Sequence, residues 1–185
     1  SRMKKFWILL LAITAAAAAT AAELPSVVQV KSNGFLKLGP AELSVRCFND
    51  KWATAKWEMD AARIGRQGGS ASGTMWFGGD SIRITETITP LEPSGFLFTV
   101  NAVFPHPMAI NVFCASLDLP TGNGPFDVTV DGRKLDLPEK FTDRYIAGAK
   151  EAKELTVVLT GGTTLRFKGN FTLEVQDNRK FGGDR

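Results

Sequence analysis

The chain has 185 residues, 44% of them hydrophobic and 22% charged, with a formal net charge of +3. That length suits one domain with a sizeable core, and the composition is ordinary for a globular protein. Three of the 22 basic residues, Arg2, Lys4 and Lys5, lie in the first five positions, and the other 19 balance all 19 acidic ones. A neutral body without a Lys/Arg cluster excludes the basic face that nucleic-acid phosphates require, so no nucleic-acid partner is expected.

The chain opens with two lysines, an apolar run from Phe6 to about Ala19, and small residues, "MKKFWILLLAITAAAAATAA". These are the three parts of a cleavable signal peptide, and cleavage is expected after Ala21 or Ala22. The run is short for a membrane span of about 20 residues and ends in alanines rather than a charged flank, so no stable membrane anchor is expected. Residues 1–22, with Ser1 and Arg2 preceding Met3, are therefore read as the signal. Residues 23–185 are read as one exported domain, periplasmic or extracellular and bacterial in style.

Strand signals then follow one another. "VVQVK" spans 27–31, "GFLKL" begins at Gly34, and "ELSVRCF" alternates Leu43, Val45 and Cys47 with Ser44, Arg46 and Phe48. "WATAKWEMDAAR", from Trp52 to Arg63, reads equally as a ragged strand or a short helix. "SGTMWF" meets "SIRITETIT" across Gly78-Gly79-Asp80. In the second run Ile82, Ile84, Glu86 and Ile88 share one face and Arg83 and the threonines the other, the mark of a half-buried antiparallel strand. "GFLFTVNAVF" follows, and "MAINVFCASLDLP" reads as a central strand buried on both faces. Asp131-Gly132 between "FDVTV" and "RKLDLP" is a hairpin signal. Residues 139–153, "EKFTDRYIAGAKEAK", are read as holding a helical turn or two. "ELTVVLT" and "TTLRFKG" flank Gly161-Gly162, and "NFTLEVQ" completes the set. About ten short strands with regular turn signals predict an all-β fold, an antiparallel β-sandwich forming a single domain.

Chemical motifs are sparse. The lone histidine, His106, lies between two prolines, where a turn role outweighs catalysis. Zinc sites need a set of His, Cys or acidic ligands at fixed spacings, and no such set, no phosphate loop and no dinucleotide motif is present, so no metal or cofactor is expected. Cys47 and Cys114 permit one disulfide in an oxidising compartment, which would add about 4 kcal/mol; two buried thiols are the other reading. Glu86 is the candidate acid, because alternation places it among isoleucines, where a carboxylate needs a partner or a raised pKa. An ion pair with Arg83 or Arg166 is the plainer alternative. Glu42, Glu58, Asp118 and Glu174 carry nothing that selects them, and Asp177, Asn178 and Asp184 fit no calcium-loop spacing. Trp52, Trp57 and Tyr145 are candidate stacking platforms for sugar rings, whereas Trp76, between Met75 and Phe77, is read as core.

The segments "GPAELSVRCFNDKW", "VDGRKLDLP" and "TGGTTLRFKGNFTLEVQDNRKFGGDR" together resemble, in style and order, the N-terminal β-sandwich region of large secreted bacterial glycoside hydrolases. The resemblance covers most of residues 25–185 and has no diagnostic motif. It implies a non-catalytic accessory domain in polysaccharide degradation, truncated at the C-terminus and followed in the parent chain by a catalytic module. It carries over no catalytic residue. An independent periplasmic or surface binding module and a small enzyme using Glu86 are the alternatives.

Overall fold

The computed structural model describes residues 7–8, 22–120 and 126–181. Apart from Trp7–Ile8 and Ala22, the expected signal segment lies outside the described residues. The described residues form thirteen strands: β1 (Trp7–Ile8), β2 (Val28–Val30), β3 (Leu36–Leu38), β4 (Ala41–Asn49), β5 (Lys56–Gly65), β6 (Gly68–Phe77), β7 (Asp80–Leu91), β8 (Gly95–Val103), β9 (Ile110–Asp118), β10 (Asp127–Val130), β11 (Arg133–Lys134), β12 (Tyr145–Val158) and β13 (Thr164–Gln176). A single 3-10 turn at Arg179–Phe181 is the one helical element among the described residues, so none of them forms a helix able to cross a membrane. The chain is all-β and antiparallel, as its alternation predicts.

The strands form three sheets, ordered β1-β8-β7-β6-β5, β2-β3-β4-β9 and β11-β10-β12-β13. In the first, the isoleucines of β7 point inward with Phe96 and Phe98 of β8 and Met75 of β6, all essentially inaccessible. Leu36, Leu38, Leu43, Val45 and Cys47 of the second sheet and Val157, Leu165 and Phe167 of the third belong to the same buried cluster. A Cβ at Gly39 would lie 3.7 Å from Leu159, which places the end of β12 beside the β3–β4 turn. Burial at roughly 25 cal/mol per Å² of apolar surface favours this arrangement, in which each sheet hides one face.

The hairpins form where turn chemistry predicts them. Asp131 and Gly132 both adopt positive φ, 47° and 79°, the geometry that matches strand twist in a two-residue turn, and Val130 pairs with Arg133 across it. Gly78-Gly79 also joins β6 to β7 as a two-residue turn, with Phe77 opposite Asp80, and here Gly78 alone takes positive φ, 58°.

Three local expectations are corrected. The segment expected to hold a helical turn contributes Tyr145–Lys153 to strand β12, which pairs with both β10 and β13. β9, expected at the centre of a sheet, is an edge strand bonded only to β4. Trp76 is not core: it is 40% exposed, because alternation gives the inward position to Met75.

Candidate functional site: an exposed aromatic and polar surface

Register sorts the residues of β4 and β9 onto two faces. Glu42 opposes Asp118, Ser44 opposes Ser116, Arg46 opposes Cys114 and Phe48 opposes Val112, so these pairs share the face turned away from Val45 and Cys47. Arg46 Nη2 donates to Asp118 Oδ2 at 2.6 Å and its Nε to Ser44 Oγ at 3.4 Å, while Ser116 Oγ donates to Asp118 Oδ1 at 3.1 Å. Lys31 pairs with Glu42 at 2.6 Å. A groove of about 380 Å³ runs beside them, bounded by Lys31, Lys37, Pro40, Glu42, Asp118 and Pro120.

The same register separates the cysteines. Cys47 faces the core and Cys114 the polar side, and both thiols are free. The bridge considered from the sequence is not formed, because side chains in adjacent register rows project from opposite faces of a sheet. Burial, and secondarily Cys114, pushes the Cys47 thiol up to about 11. Burial also raises Cys114, against the lowering pull of Arg46. Neither is poised as a thiolate nucleophile.

Trp52 stands at the end of this face. The β4–β5 turn is pinned by Asn49, whose Oδ1 accepts from Lys51 N at 3.0 Å and Ala53 N at 2.8 Å. Trp52 N donates to Asn49 O at 3.0 Å. Within the turn Trp52 adopts φ 62°, a left-handed conformation that costs a bulky residue about 1–2 kcal/mol. Trp52 is 65% exposed, and its ring meets Phe48, with centroids 6.2 Å apart at 55°. A glycine or asparagine would hold this turn without strain. The chain instead displays a large aromatic there, and strain of this kind concentrates at functional positions.

Tyr145 supplies a second exposed ring. It opposes Gln176, and Gly148 opposes Glu174. The phenol end of Tyr145 lies over Gly148, where an added Cβ would come within 2.6 Å of its hydroxyl. Glycine at 148 therefore lets the ring lie down on the strand. Glu174 and Gln176 hydrogen-bond to each other beside it. Neither Gly148 nor the left-handed turn at Trp52 carries a signal in the sequence; Arg46 and Asp118 become visible only through the β4–β9 register.

The other candidates fall elsewhere. Trp57 is half-buried against the core, and its Nε1 donates to Asn33 O at 2.6 Å, so it offers no platform. Glu86 is 2% exposed, flanked across the ladder by Ala71 and Val100. Its Oε2 has no hydrogen-bond partner, and it lies 3.5 Å from where a Cβ on Gly34 would stand. The alternation reading of its face holds, whereas the ion pair does not form. Arg83 binds Asp60, and Arg166 sits 3.7 Å from Glu154. Burial pushes the Glu86 carboxyl up to about 8, so the acid is protonated and neutral near pH 7.

His106 makes a surface pair, with Nε2 2.8 Å from Asp80 Oδ1 and Nδ1 3.1 Å from Pro107 O. The Pro107 carbonyl first and the Asp80 carboxylate second favour its charged form. No group of three or more His, Cys, Asp or Glu side chains able to hold a metal occurs among the described residues. Set against protein-family models, curated proteins and solved structures, the chain matches none.

Proposed function

We propose that the chain is a non-catalytic accessory β-sandwich of a secreted carbohydrate-active enzyme, binding polysaccharide weakly beside a glycoside-hydrolase module carried by the parent protein. Trp52 supports this most directly: an exposed indole held in a strained, side-chain-pinned turn at the end of a hydrogen-bonding face. Sugar rings offer apolar C–H faces that pack on such rings, while their hydroxyls pair with groups such as Arg46, Asp118 and Gln176. Tyr145, laid over Gly148, adds a second platform. Few anchors and an open surface give modest affinity, because binding must first offset lost translational and side-chain freedom.

The reading of Glu86 as a hydrolytic acid runs against its burial. Glycoside hydrolysis needs two carboxyl groups about 5–10 Å apart across a cleft open to the sugar, and Glu86 is covered by the Gly34 turn. The test is retention of the purified protein on a panel of insoluble polysaccharides, with Trp52→Ala and Tyr145→Ala alongside. Retention of the wild type on at least one polymer, weakened severalfold by Trp52→Ala, is expected. Retention by none of them, or equal retention of the variant, would refute the reading.

A further inference from the structure

Beyond β13 the chain is clamped to the loop before β12. Asp177 is 1% exposed; its Oδ2 accepts from Arg179 Nη2 at 2.6 Å and Nε at 3.1 Å, and its Oδ1 from Arg179 Nε at 2.9 Å. The same guanidinium donates to Glu139 O at 2.6 Å and Pro138 O at 3.2 Å, and Asp177 N donates to Arg144 O at 2.7 Å. Two cations stand on this frame. The Arg144 guanidinium carbon lies 4.9 Å from the Phe181 ring centroid, and Lys180 Nζ lies 4.5 Å from that of Phe141. The two rings meet edge to face at 6.1 Å. Arg144 Nε also donates to Asn178 Oδ1 at 3.2 Å. Neither Arg144 nor Lys180 is paired with a carboxylate among the described residues, as the ion pairs of the other cations lie elsewhere. Phe181 is exposed, and Tyr145 follows Arg144 directly.

A cation on an aromatic face keeps its other side for an anion, and arginine's fork matches a carboxylate in two parallel hydrogen bonds. Rings and unpaired cations together complement a sugar that carries an apolar face and a carboxylate. We propose that this corner binds acidic polysaccharide, with Arg144 and Lys180 taking uronate carboxylates and the exposed Phe181 packing on a sugar ring. The proposal rests on the polysaccharide-binding reading above and names its ligand class. Since the body of the chain is neutral, the attraction is local rather than a general affinity for polyanions.

The experiment measures binding of the purified protein to polygalacturonate, to the same polymer with its carboxyls methyl-esterified, to a neutral β-glucan and to single-stranded DNA. Polygalacturonate should bind about tenfold or more tightly than the esterified polymer, and Arg144→Gln/Lys180→Gln should erase that difference while thermal stability is kept. Equal binding of acid and ester forms by the wild type overturns the acidic-sugar inference and leaves polysaccharide binding standing. Binding of no polymer overturns both. DNA bound as tightly as polygalacturonate overturns the inference in favour of a surface that takes any polyanion through charge and stacking.

Discussion

Two carboxyl groups are buried among the described residues, and their surroundings differ sharply. Glu86 lies mid-strand on β7, facing Ala71 and Val100 across the ladder and flanked on its own strand face by Ile84 and Ile88, and no donor reaches its Oε2. Asp177 lies just past β13, where strand geometry has ended and the backbone is free to bring Arg179 round to it. A regular strand fixes where each side chain points, so a polar residue on the inner face can only meet what the neighbouring strands present. A turn can fold its own partner back. Burial alone thus does not set the surroundings of an acid: burial without a donor pushes the Glu86 carboxyl up, whereas Asp177 meets the Arg179 guanidinium.

The strongest test of this contrast is pH. The Glu86 carboxyl is raised from 4.5 to about 8 in the fold. Below its ordinary value the folded and unfolded chains both hold the proton, and stability from this group is fully present. As pH rises the unfolded chain releases the proton first, so stability falls through that window, and the loss is complete once the folded carboxyl has also ionised above about 8. Relative to Glu86→Gln, the wild type should lose on the order of 4 kcal/mol across that range in denaturant titrations at a series of pH values. A difference between the two proteins that stays level with pH would show that Glu86 has a hidden partner. Asp177→Ala should act in the opposite sense, destabilising by about 2 kcal/mol at neutral pH, because the Arg179 fork and the loop carbonyls it holds lose their anchor. A variant as stable as wild type would mean the clamp contributes nothing beyond geometry.

The all-β architecture was legible wherever apolar residues alternate, as in "SIRITETIT" and "FDVTV", and its hairpins wherever glycine pairs sit between such runs. Legibility failed in two ways. "YIAGAKEAKELTVV" is rich in alanine, lysine and glutamate, which favour helix, yet β13 bonds along its length and β10 along Leu155–Val158, and tertiary pairing overrides propensity. β9 reads as nearly all apolar because its inner face meets the core and its outer face, partly covered, carries Val112 and Cys114 beside Ser116 and Asp118, a pattern that sequence periodicity does not tell from a central strand. Of the site, Glu86's face and the exposure of Trp52 and Tyr145 follow from pattern and type. The φ of Trp52, the support of Gly148 and the clamp of Asp177 depend on contacts between residues far apart in the chain or on local backbone geometry that carries no composition signal.

Trp52 sharpens the contrast from the surface. Like Glu86 it carries a cost that its own contacts do not remove, here a left-handed backbone under a bulky side chain; unlike Glu86 it faces solvent, where a ligand can reach it. Asparagine tolerates that conformation, so Trp52→Asn regains part of the roughly 1–2 kcal/mol of backbone strain. It also forfeits the ring contact with Phe48, and such pairs contribute about 0.5–1.5 kcal/mol. The two effects oppose each other, and the net change in unfolding free energy should stay below about 1 kcal/mol in either direction. Retention on polysaccharide should nonetheless drop, since the apolar platform is gone while the turn, held by Asn49, remains. The informative pairing is therefore stability measured beside retention on the same preparation. A large loss of stability would make Trp52 a structural residue whose conformation the fold requires, and unchanged retention would remove the reason for displaying an indole there at all.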